Sequence, residues 1–507
     1  MIAIIKHYAF PDFLLELPID WRVDPYKNKN WLHHFNSLRW VKNVKDLDVR
    51  KKILVSFYKF HCERKIHNPY YSSLRGDHTA SIRLTIVFDL REAFKKEGVV
   101  SGYGICNRLI NAELVNLQNP SMYRTGHNHG LMVDLSILNL IRRDSSFDKK
   151  VNIEKILKRS GVTLDCLWHD SGQTKEHSIS YQEFNLPLVK QYFYLLDELN
   201  LNARTKIDFE SLKYETQKIL GYALKNSGEY FPLGDSFRKP NEKLLSNIYK
   251  GLSTGAKNIL RPFSLEKGEL KKEGFYIKRF ECDGKLIHFA ATCGWDSFSH
   301  KQNDEFHFCL DVNGYTFFDD PGYSTACDKD TTAFLKSEDA HTTFTIMGSQ
   351  WSDRKKTNGK SKIEYRTENH KDTDTGISMS HERIDGVVSS RKVAFNDSHI
   401  IITDSLENNY ENKFSKDEVV EIRHRFVLSP EVKADICKES MCCRLNVGDI
   451  TCFLYYTSGS ASLSEIPYVG KDKKEIIKTL VIDVKSFVKI SCFSTVNVFN
   501  IEVFHDC

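Results

Sequence analysis

Two kinds of hydrophobic patterning divide this chain of 507 residues. In the N-terminal half, apolar residues recur at the three- and four-residue spacing of amphipathic helices, with short Gly, Asn and Ser breaks between them. The helices predicted from this spacing are Trp31–Val41, Val44–Cys62, His78–Lys96, Leu131–Arg142, Val151–Arg159, Pro187–Leu199, Phe209–Lys225 and Asn241–Leu252. There is no strict internal repeat, and helices in hairpin pairs are typical of an α-solenoid or a closed helical toroid.

From about residue 262 the pattern changes to short β-type segments separated by polar turns. The predicted strands are Phe275–Ile277, Leu286–Ala290, Phe306–Leu310, Thr343–Ile346, Ile400–Ile402, Val419–Phe426, Cys452–Tyr456, Leu480–Val484 and Val496–Val503. Antiparallel sheets arranged as a sandwich are the natural interpretation. Helices first and strands second predict an α+β multidomain protein, with a helical domain at 1–255, a β-sandwich domain at 256–507 and a seam at about 253–272.

Composition limits the classes of function. Hydrophobic residues make up 41% and charged residues 27%, as in a globular protein with a substantial core. The 72 Lys and Arg residues exceed the 67 Asp and Glu residues too slightly to require nucleic acid or a membrane surface. No apolar run approaches the ~18 residues of a membrane-spanning helix. We therefore expect no nucleic acid and no membrane span, and the charge is compatible with an acidic glycan.

The 13 cysteines are scattered and form no Cys-x-x-Cys pair, which favours reduced thiols over a disulfide framework. The first residues lack a basic region, and Lys6, His7, Pro11 and Asp12 interrupt their apolar patches, so the secretory signal is weak. A cytoplasmic location is the favoured prediction, with a periplasmic or secreted location left open. The oligomeric state stays open between monomer and homodimer.

The most informative stretch is the segment 299–322. It opens with a polar cluster, 300–304, and continues with alternating apolar residues on either side of Asn313-Gly314. Alternation of period two around an Asn-Gly pair predicts a β-hairpin. An Asp-Pro-Gly break closes the segment.

A hairpin brings its two open ends together. We therefore expect Gln302 of the polar cluster and Asp320 of the Asp-Pro-Gly break to share one pocket, to which His341 adds a third group from a neighbouring strand. The plainer alternative is that His300 and Asp320 cap strand ends and bond to turn backbone.

Two polar constellations lie in the helical half. The first, Tyr-Arg-Thr-Gly-His-Asn-His-Gly at 123–130, immediately precedes an apolar helix. Asn128 can cap that helix, but a cap alone does not explain two histidines and Arg124. The free N–H groups of a helix start favour an anion such as a carboxylate beside Asn128 and His129.

The second constellation begins at Trp168 and ends with Glu-His-Ser-Ile-Ser-Tyr at 176–181. By themselves, Tyr181 is an amphipathic residue at a helix entrance and Glu176 a surface or capping acid. Four lone residues are further candidates for the lining of a cleft, although a solvated or satisfied core position explains each as simply: His78, Arg83, His381 and Arg383.

As a set, these motifs resemble the heparinase II/III family, lyases of uronic-acid polysaccharides related to alginate lyases and dermatan-type uronyl epimerases. The resemblance is carried by the His-x-x-x-Asp cluster, the Asp-Pro-Gly and Ala-His-Thr-Thr motifs, the Asn-His pair and the Glu-x-Ser-x-x-Tyr segment. It implies an N-terminal incomplete (α/α) toroid followed by a C-terminal antiparallel β-sandwich, with an extended acidic polysaccharide or oligosaccharide in a cleft between the two domains.

The resemblance also implies roles for single residues. The expected catalytic residues are Asn128, His129, Tyr181 and His300. The expected substrate-binding residues are Arg124, Glu176, His78, Arg83, His381 and Arg383. In the family, a histidine two positions after the catalytic one binds a metal, usually zinc, together with the Asp-Pro-Gly aspartate and the Ala-His histidine. Gln302, a neutral oxygen donor, replaces that histidine here, so the predicted set for a structural divalent metal, zinc or calcium, is Gln302, Asp320 and His341.

These residues suit removal of the C5 hydrogen of a uronate, which is α to a carboxylate. Neutralising that carboxylate lets charge spread into an enolate-like intermediate, and Asn128 and His129 are suitable donors. We expect Tyr181 and His300, from opposite domains, to flank the sugar as base and acid. A tyrosine with an ordinary pKa near ~10 is a poor base, so a neighbouring cation must lower that pKa. Which residue is the base depends on the stereochemistry of the substrate.

Three functions remain open. The favoured one is a polysaccharide lyase that cleaves by β-elimination with O4 as leaving group. The second is a uronyl C5-epimerase, which returns a proton instead of expelling O4. The third is a non-catalytic glycan-binding or assembly protein of capsule or surface polysaccharide metabolism. Gln302 at the metal position favours the third, and the complete set of four catalytic residues argues against it.

Overall fold

The computed structural model describes residues 3–7, 10–63, 76–249, 255–282, 284–294, 296, 299–324, 327–352, 361–366, 375–396, 399–408, 418–470, 475–489 and 493–505. The chain forms two compact units, the first made of Met1–Leu167 with Pro187–Phe209 and the second of Trp168–Leu186 with Glu210–Cys507. Among the described helices, none combines the length and the hydropathy that crossing a membrane requires.

The first unit is helical apart from an N-terminal hairpin of β1 (Ala3–His7) and β2 (Phe10–Leu15). Its helices are α1 (Lys29–Asn36), α2 (Leu47–Tyr58), α3 (Asp77–Lys96), α4 (Val100–Gln118), α5 (Asn128–Arg143) and α6 (Ile153–Leu167). Each buries an apolar stripe, as the helical spacing requires. In α5, for example, Leu131, Leu135 and Leu138 are all buried.

Helix α7 (Ile179–Glu198) begins eight residues before the start that the sequence predicted at Pro187. Ser178 provides the true start, because its hydroxyl accepts the backbone N–H of Tyr181 at 3.3 Å. Pro187 lies inside the helix, at the point where the chain passes from the second unit to the first. The early start matters because it places Tyr181 in the first turn of a helix.

The second unit contains the remaining described helices and all but two of the described strands. The helices are α8 (Phe209–Ala223), α9 (Glu242–Ile248), α10 (Ala256–Ser264) and α11 (Lys329–Leu335). The strands are β3 (Gly268–Lys271), β4 (Phe275–Cys282), β5 (Lys285–Thr292), β6 (Phe308–Val312), β7 (Tyr315–Phe318), β8 (Phe344–Ile346), β9 (Ser361–Arg366), β10 (Thr375–Ile384), β11 (Val387–Phe395), β12 (His399–Asn408), β13 (Val419–Val427), β14 (Lys433–Cys437), β15 (Cys442–Val447), β16 (Ile450–Tyr456), β17 (Ser460–Val469), β18 (Ile476–Lys489) and β19 (Ser494–His505).

These strands form three antiparallel sheets. The orders are β3-β4-β5-β6-β7, then β14-β15-β16-β19-β12-β11-β10-β9, and finally β17-β18-β13-β8. One continuous apolar core joins them, with Phe289, Phe308, Phe426 and Phe499 among its fully buried side chains. Buried and more exposed positions alternate along β11, as expected for a strand with one face on a core.

The predicted fold class, helical first and antiparallel β-rich second, is confirmed. Helix gives way to strand between Ser264 and Gly268, inside the predicted seam, whereas the compact units divide the chain elsewhere. The predicted hairpin is β6–β7, and Asn313 and Gly314 turn it with φ of 51° and 92°. Positive φ at both central residues gives a two-residue turn the backbone twist that matches the twist of the two antiparallel strands.

Candidate active site

Tyr181 and His300, both in the second unit, stack face to face. Their ring centroids are 3.5 Å apart and their planes differ by 20°, while Phe184 lies edge-on to the tyrosine at 5.8 Å. The expectation that the two residues flank a sugar from opposite domains is therefore wrong, because rings in contact leave no room for a sugar between them. They form instead one pair of adjacent proton-transfer groups.

Asp235 holds the histidine of this pair. Nδ1 of His300 lies 3.1 Å from Oδ2 of Asp235, whose other oxygen accepts the Nε2–H of Gln302 at 2.9 Å. Nζ of Lys336 lies 2.5 Å from the same Oδ2. The Asp235 side chain is only 3% exposed, and that of His300 is 22% exposed. A sequence reading could have found Asp235 in its Phe-Pro-Leu-Gly-Asp-Ser loop, but nothing in that loop pairs it with position 300.

A serine cluster ties the loop of Asp235 to the start of α7. The hydroxyl of Ser178 donates to the backbone carbonyl of Asp235 at 3.0 Å and lies 2.9 Å from the hydroxyl of Ser236. Ser180 accepts the backbone N–H of Phe237 at 2.8 Å. The helix turn that carries the tyrosine and the loop that carries the aspartate are therefore one hydrogen-bonded piece.

The pKa of the Tyr181 phenol lies well above its usual range. Burial is the main cause, and the acidic groups of Tyr323, Glu176 and Asp235 add to it. The sequence predicted a lowered pKa for this phenol, and the structure shows the opposite direction. The phenol is therefore protonated at neutral pH in the free protein, which suits a proton donor.

Glu176 is buried, so the alternative that it is merely a surface acid is wrong. It is 1% exposed, and its Oε2 accepts the Nδ2–H of Asn185 at 2.7 Å. Its negative charge acts on the neighbouring phenol of Tyr181. Substrate contact by Glu176 stays a prediction.

In the first unit, Asp77 contacts two of the residues that were predicted to act on the substrate. Its Oδ1 lies 3.2 Å from Nδ1 of His129, and its Oδ2 lies 2.9 Å from Nε of the exposed Arg124. The ring of His78 packs on that of His129 with centroids 4.6 Å apart. Burial, with help from nearby His33 and His129, lowers the pKa of His78 to about 2, so its ring is neutral.

The cap of α5 is His127 and not Asn128. Nδ1 of His127 accepts the backbone N–H of His129 at 3.1 Å, and Asn128 is the first residue of the helix itself, 2% exposed. The sequence proposed capping as the plain explanation for Asn128, and the structure gives that role to its neighbour.

Arg83 is a core residue, although the sequence placed it on a substrate cleft. It is fully buried and donates to Oε1 of Glu113 at 2.7 Å and to the carbonyl of Asn36 at 2.8 Å. Nε2 of His61 lies 3.3 Å from the guanidinium. A guanidinium held on several sides in a dry site braces the helices, so the structure does not support substrate contact by Arg83.

The β-domain residues Arg383 and His381 are core residues for the same reason. Arg383 makes a forked contact with both oxygens of Glu305, at 3.0 and 3.1 Å, and donates to Asn303 at 2.8 Å. His381 packs against Trp351, and burial lowers its pKa to about 3. Neither side chain reaches solvent, so the structure does not support the predicted substrate contacts.

A second cluster consists of His307, Asp320 and His341, all fully buried. One potential ligand atom from each lies within 4.8 Å of the other two. Two members were predicted, but Gln302 is bonded to Asp235 and belongs to the other cluster. His307 takes its place. The signal in the sequence was a polar residue inside the apolar run of the hairpin, between Phe306 and Phe308.

This cluster fits a divalent cation, at one cost. Oδ2 of Asp320 and both ring nitrogens of His341 are buried without a hydrogen-bond partner among the described residues, which a bound cation would correct. Two imidazoles and a carboxylate are a usual zinc donor set. Nδ1 of His307 accepts the N–H of Thr342 at 3.0 Å, so binding through Nε2 would move the ring proton to Nδ1 and break that bond.

Comparison with known proteins agrees with this architecture. Residues 268–493 match the family model described as heparinase II/III-like, C-terminal. Comparison with the curated proteins finds no match.

Alignments with solved structures of similar fold extend over almost the whole chain. A heparinase III structure is 14% identical, covering 96% of this chain and 80% of its own, with a TM-score of 0.69. A mutant of the heparan sulfate lyase HepC from Pedobacter heparinus is also 14% identical, covering 100% of this chain and 82% of its own, with a TM-score of 0.62. At this identity the likeness shows a shared fold, a helical toroid followed by a β-sandwich.

Proposed function

We propose that the protein is a polysaccharide lyase acting on a uronic-acid-containing glycan, because residues 268–493 match the heparinase II/III-like C-terminal family model. The fold shared with a heparinase III and a heparan sulfate lyase supports this class of substrate. The single observation that carries the proposal is the stacked pair of Tyr181 and His300, with Asp235 bonded to the histidine.

The reaction is a β-elimination. Nε2 of His300 takes the C5 proton, the electron pair of that C–H bond forms the C4–C5 double bond, and the C4–O4 bond breaks. The phenol of Tyr181 gives its proton to the departing O4. The raised pKa of Tyr181 supports the donor role, because the phenol starts the reaction protonated. The products are an unsaturated uronate and a new chain end.

The substrate carboxylate must be neutralised for the C5 proton to leave. We assign this to Asn128 and His129, an amide and an imidazole at the start of α5, where backbone N–H groups also favour an anion. Asp77 orients His129 through Nδ1. Asn128→Ala and His129→Ala should each slow elimination while leaving the protein folded.

We further propose that Asp320, His341 and His307 hold a structural divalent metal, zinc by the nature of the donors. The ion would satisfy the buried polar atoms of the cluster and fix the loops that follow β7 and precede β8. Its position among fully buried side chains favours bracing over activation of water. No step of the elimination passes through it.

The experiment that tests the function is the ultraviolet absorbance of an unsaturated uronate during incubation with a panel of uronic-acid polymers, with and without chelator. A rise in absorbance with any polymer supports the lyase and names the substrate. A flat trace with C5 proton exchange in deuterated water would replace the lyase with an epimerase. A flat trace without exchange would leave a glycan-binding protein.

A further inference from the structure

Asp235 lies in the second unit beside the proposed catalytic pair. The resemblance described above assigns it no role. Its carboxylate faces three donors: Nδ1 of His300 at 3.1 Å, Nε2 of Gln302 at 2.9 Å and Nζ of Lys336 at 2.5 Å. Two donors on one oxygen and a third on the other leave a buried carboxylate little freedom to turn. The arrangement is typical of an orienting group.

We propose that Asp235 is a positioning residue that keeps the ring proton of His300 on Nδ1 and so presents the lone pair of Nε2 for proton transfer. The proposal deepens the lyase proposal and rests on it for the identity of the reaction. Its physical basis is general: in a neutral imidazole only one nitrogen carries a proton, and the hydrogen bond made by the first nitrogen decides the state of the second.

The charge state of Asp235 agrees with an acceptor role. Burial alone would raise the pKa of its carboxyl, but the bonds from His300 and Gln302 and the charge of Lys336 lower the pKa below its usual value. The carboxylate is therefore ionised at neutral pH and accepts from every neighbour. Tyr181, which stacks on His300, is itself influenced by the acidic groups of Tyr323 and Glu176.

The ring of His300 is also fixed on its faces and through its backbone. Tyr181 covers one face of the ring, and His300 adopts φ of 58°, a left-handed conformation that non-glycine residues rarely adopt. The loop of Asp235 is bonded through Ser178 and Ser236 to the helix turn that carries the tyrosine. The aspartate therefore moves with the phenol, and the three groups keep their mutual geometry.

Gln302 gains a function from this arrangement. Its side chain is fully buried, and its amide N–H holds the second oxygen of Asp235 in place. Because its amide is engaged by Asp235, the glutamine acts here as an orienting residue and not as a metal ligand.

The test has two readouts on the full-length protein. Nitrogen–proton correlation NMR of protein made with isotope-labelled histidine reports which nitrogen of His300 carries the proton, and His300→Gln identifies the signal. We expect Nδ1–H in the wild type and loss of that preference in Asp235→Ala. With the polymer found active, kcat of Asp235→Ala should fall about 100-fold while KM changes by less than about threefold, because Asp235 acts through His300.

Two further variants separate positioning from stability. Asp235→Asn offers a neutral amide oxygen to Nδ1–H, so it should restore the tautomer and part of kcat. Asp311→Ala removes another buried aspartate of the same unit, bonded to Gly314 and Thr316, and should lower the melting temperature without changing the tautomer or kcat.

The proposal is overturned if wild-type His300 carries its proton on Nε2, or if Asp235→Ala keeps both the tautomer and the rate. The failure of the lyase proposal looks different. In that case the wild type gives no unsaturated product with any polymer, while the tautomer measurement still decides whether Asp235 fixes His300.

Discussion

Nε2 of His307 lies 3.3 Å from Oδ2 of Asp320, inside a cluster from which solvent is excluded. Nδ1 of His341 approaches the same oxygen at 3.2 Å. Neither contact has the geometry of a good hydrogen bond to that oxygen, since Oδ2 is left without a partner among the described residues. Buried polar atoms that converge without bonding to one another offer a donor set that a shared cation could satisfy.

We therefore predict that the purified protein contains one divalent metal ion, measurable by elemental analysis. His341→Ala should lose the ion, because both nitrogens of His341 lack a hydrogen-bond partner among the described residues. His307→Ala should retain more of it, because His307 must give up its bond from Thr342 to coordinate. At a metal concentration of 100 times Kd, the ion would add about 2.7 kcal/mol of stability, so chelation should lower the melting temperature by several degrees.

Gln302→Ala is the matched control for the metal prediction. Gln302 was the third ligand expected from the sequence, but its amide is bonded to Asp235, so the variant should keep a full complement of metal. Loss of metal from Gln302→Ala together with retention in His341→Ala would contradict the assignment.

The buried pair of Arg83 and Glu113 predicts a specific acid sensitivity. Burial alone would raise the pKa of Glu113, but the charges of Arg83 and His61 lower it to about 2, against an ordinary value of 4.5. A depressed carboxyl pKa stabilises the fold above pH 4.5, and that stability is lost as the pH falls from 4.5 towards 2. The loss amounts to about 3 kcal/mol.

In Glu113→Gln the pH dependence should be shallower over that range, and the free energy of unfolding at neutral pH should fall by about 3 kcal/mol, because Arg83 is left buried without its partner. Urea unfolding at a series of pH values measures both effects. Glu154→Gln, on an exposed residue, should behave as the wild type. If the free energy of unfolding changes with pH equally in Glu113→Gln and in the wild type, Glu113 does not stabilise the fold through its pairing with Arg83.

Gly234, the residue before Asp235, is predicted to be irreplaceable. It has φ of 67°, and a Cβ there would lie 2.0 Å from the backbone carbonyl oxygen of His177. Gly234→Ala should cost more than about 2 kcal/mol, combining left-handed strain with a clash against backbone. It should also lower activity, because the loop that holds Asp235 must shift.

Gly348→Ala separates these two effects. Gly348 has a similar φ of 78° but open space around its Cβ position, so only the conformational cost applies, about 1 kcal/mol. Thermal melts and elimination rates of both variants provide the comparison. Equal destabilisation by the two substitutions would contradict the close approach of Gly234 to His177.

The sequence predicted the local features that a few neighbouring residues determine. The hairpin around Asn313 and Gly314 is one, because the pair supplies both positive φ values of its turn. The helix of Val100–Gln118 was missed because Gly102 and Gly104 near its start usually break helices. Gly102 is there for packing, since a Cβ would lie 2.4 Å from the ring of Phe94.

The candidate site could be predicted only where residues of a recognised motif also lie together in the fold. Asp320 and His341 do lie together, but their partner is His307 and not Gln302, since only the folded loops bring the three side chains to one point. Arg83 and Arg383 were candidates for the lining of a substrate cleft, with a solvated or satisfied core position as the plainer alternative. Their acidic partners are far away in sequence, so no local pattern could reveal the pairing.

Tyr181 and His300 are, in this proposal, the proton-transfer pair of a β-elimination. The most direct test is the rate of unsaturated uronate formation by Tyr181→Phe relative to the wild type, on the polymer that the panel identifies. Phenylalanine preserves the stack on His300 and removes only the hydroxyl, so the melting temperature should stay nearly unchanged. We predict a fall in rate of at least about 100-fold. A rate within about threefold of the wild type would show that Tyr181 is not the proton donor, because the departing O4 would then have another one.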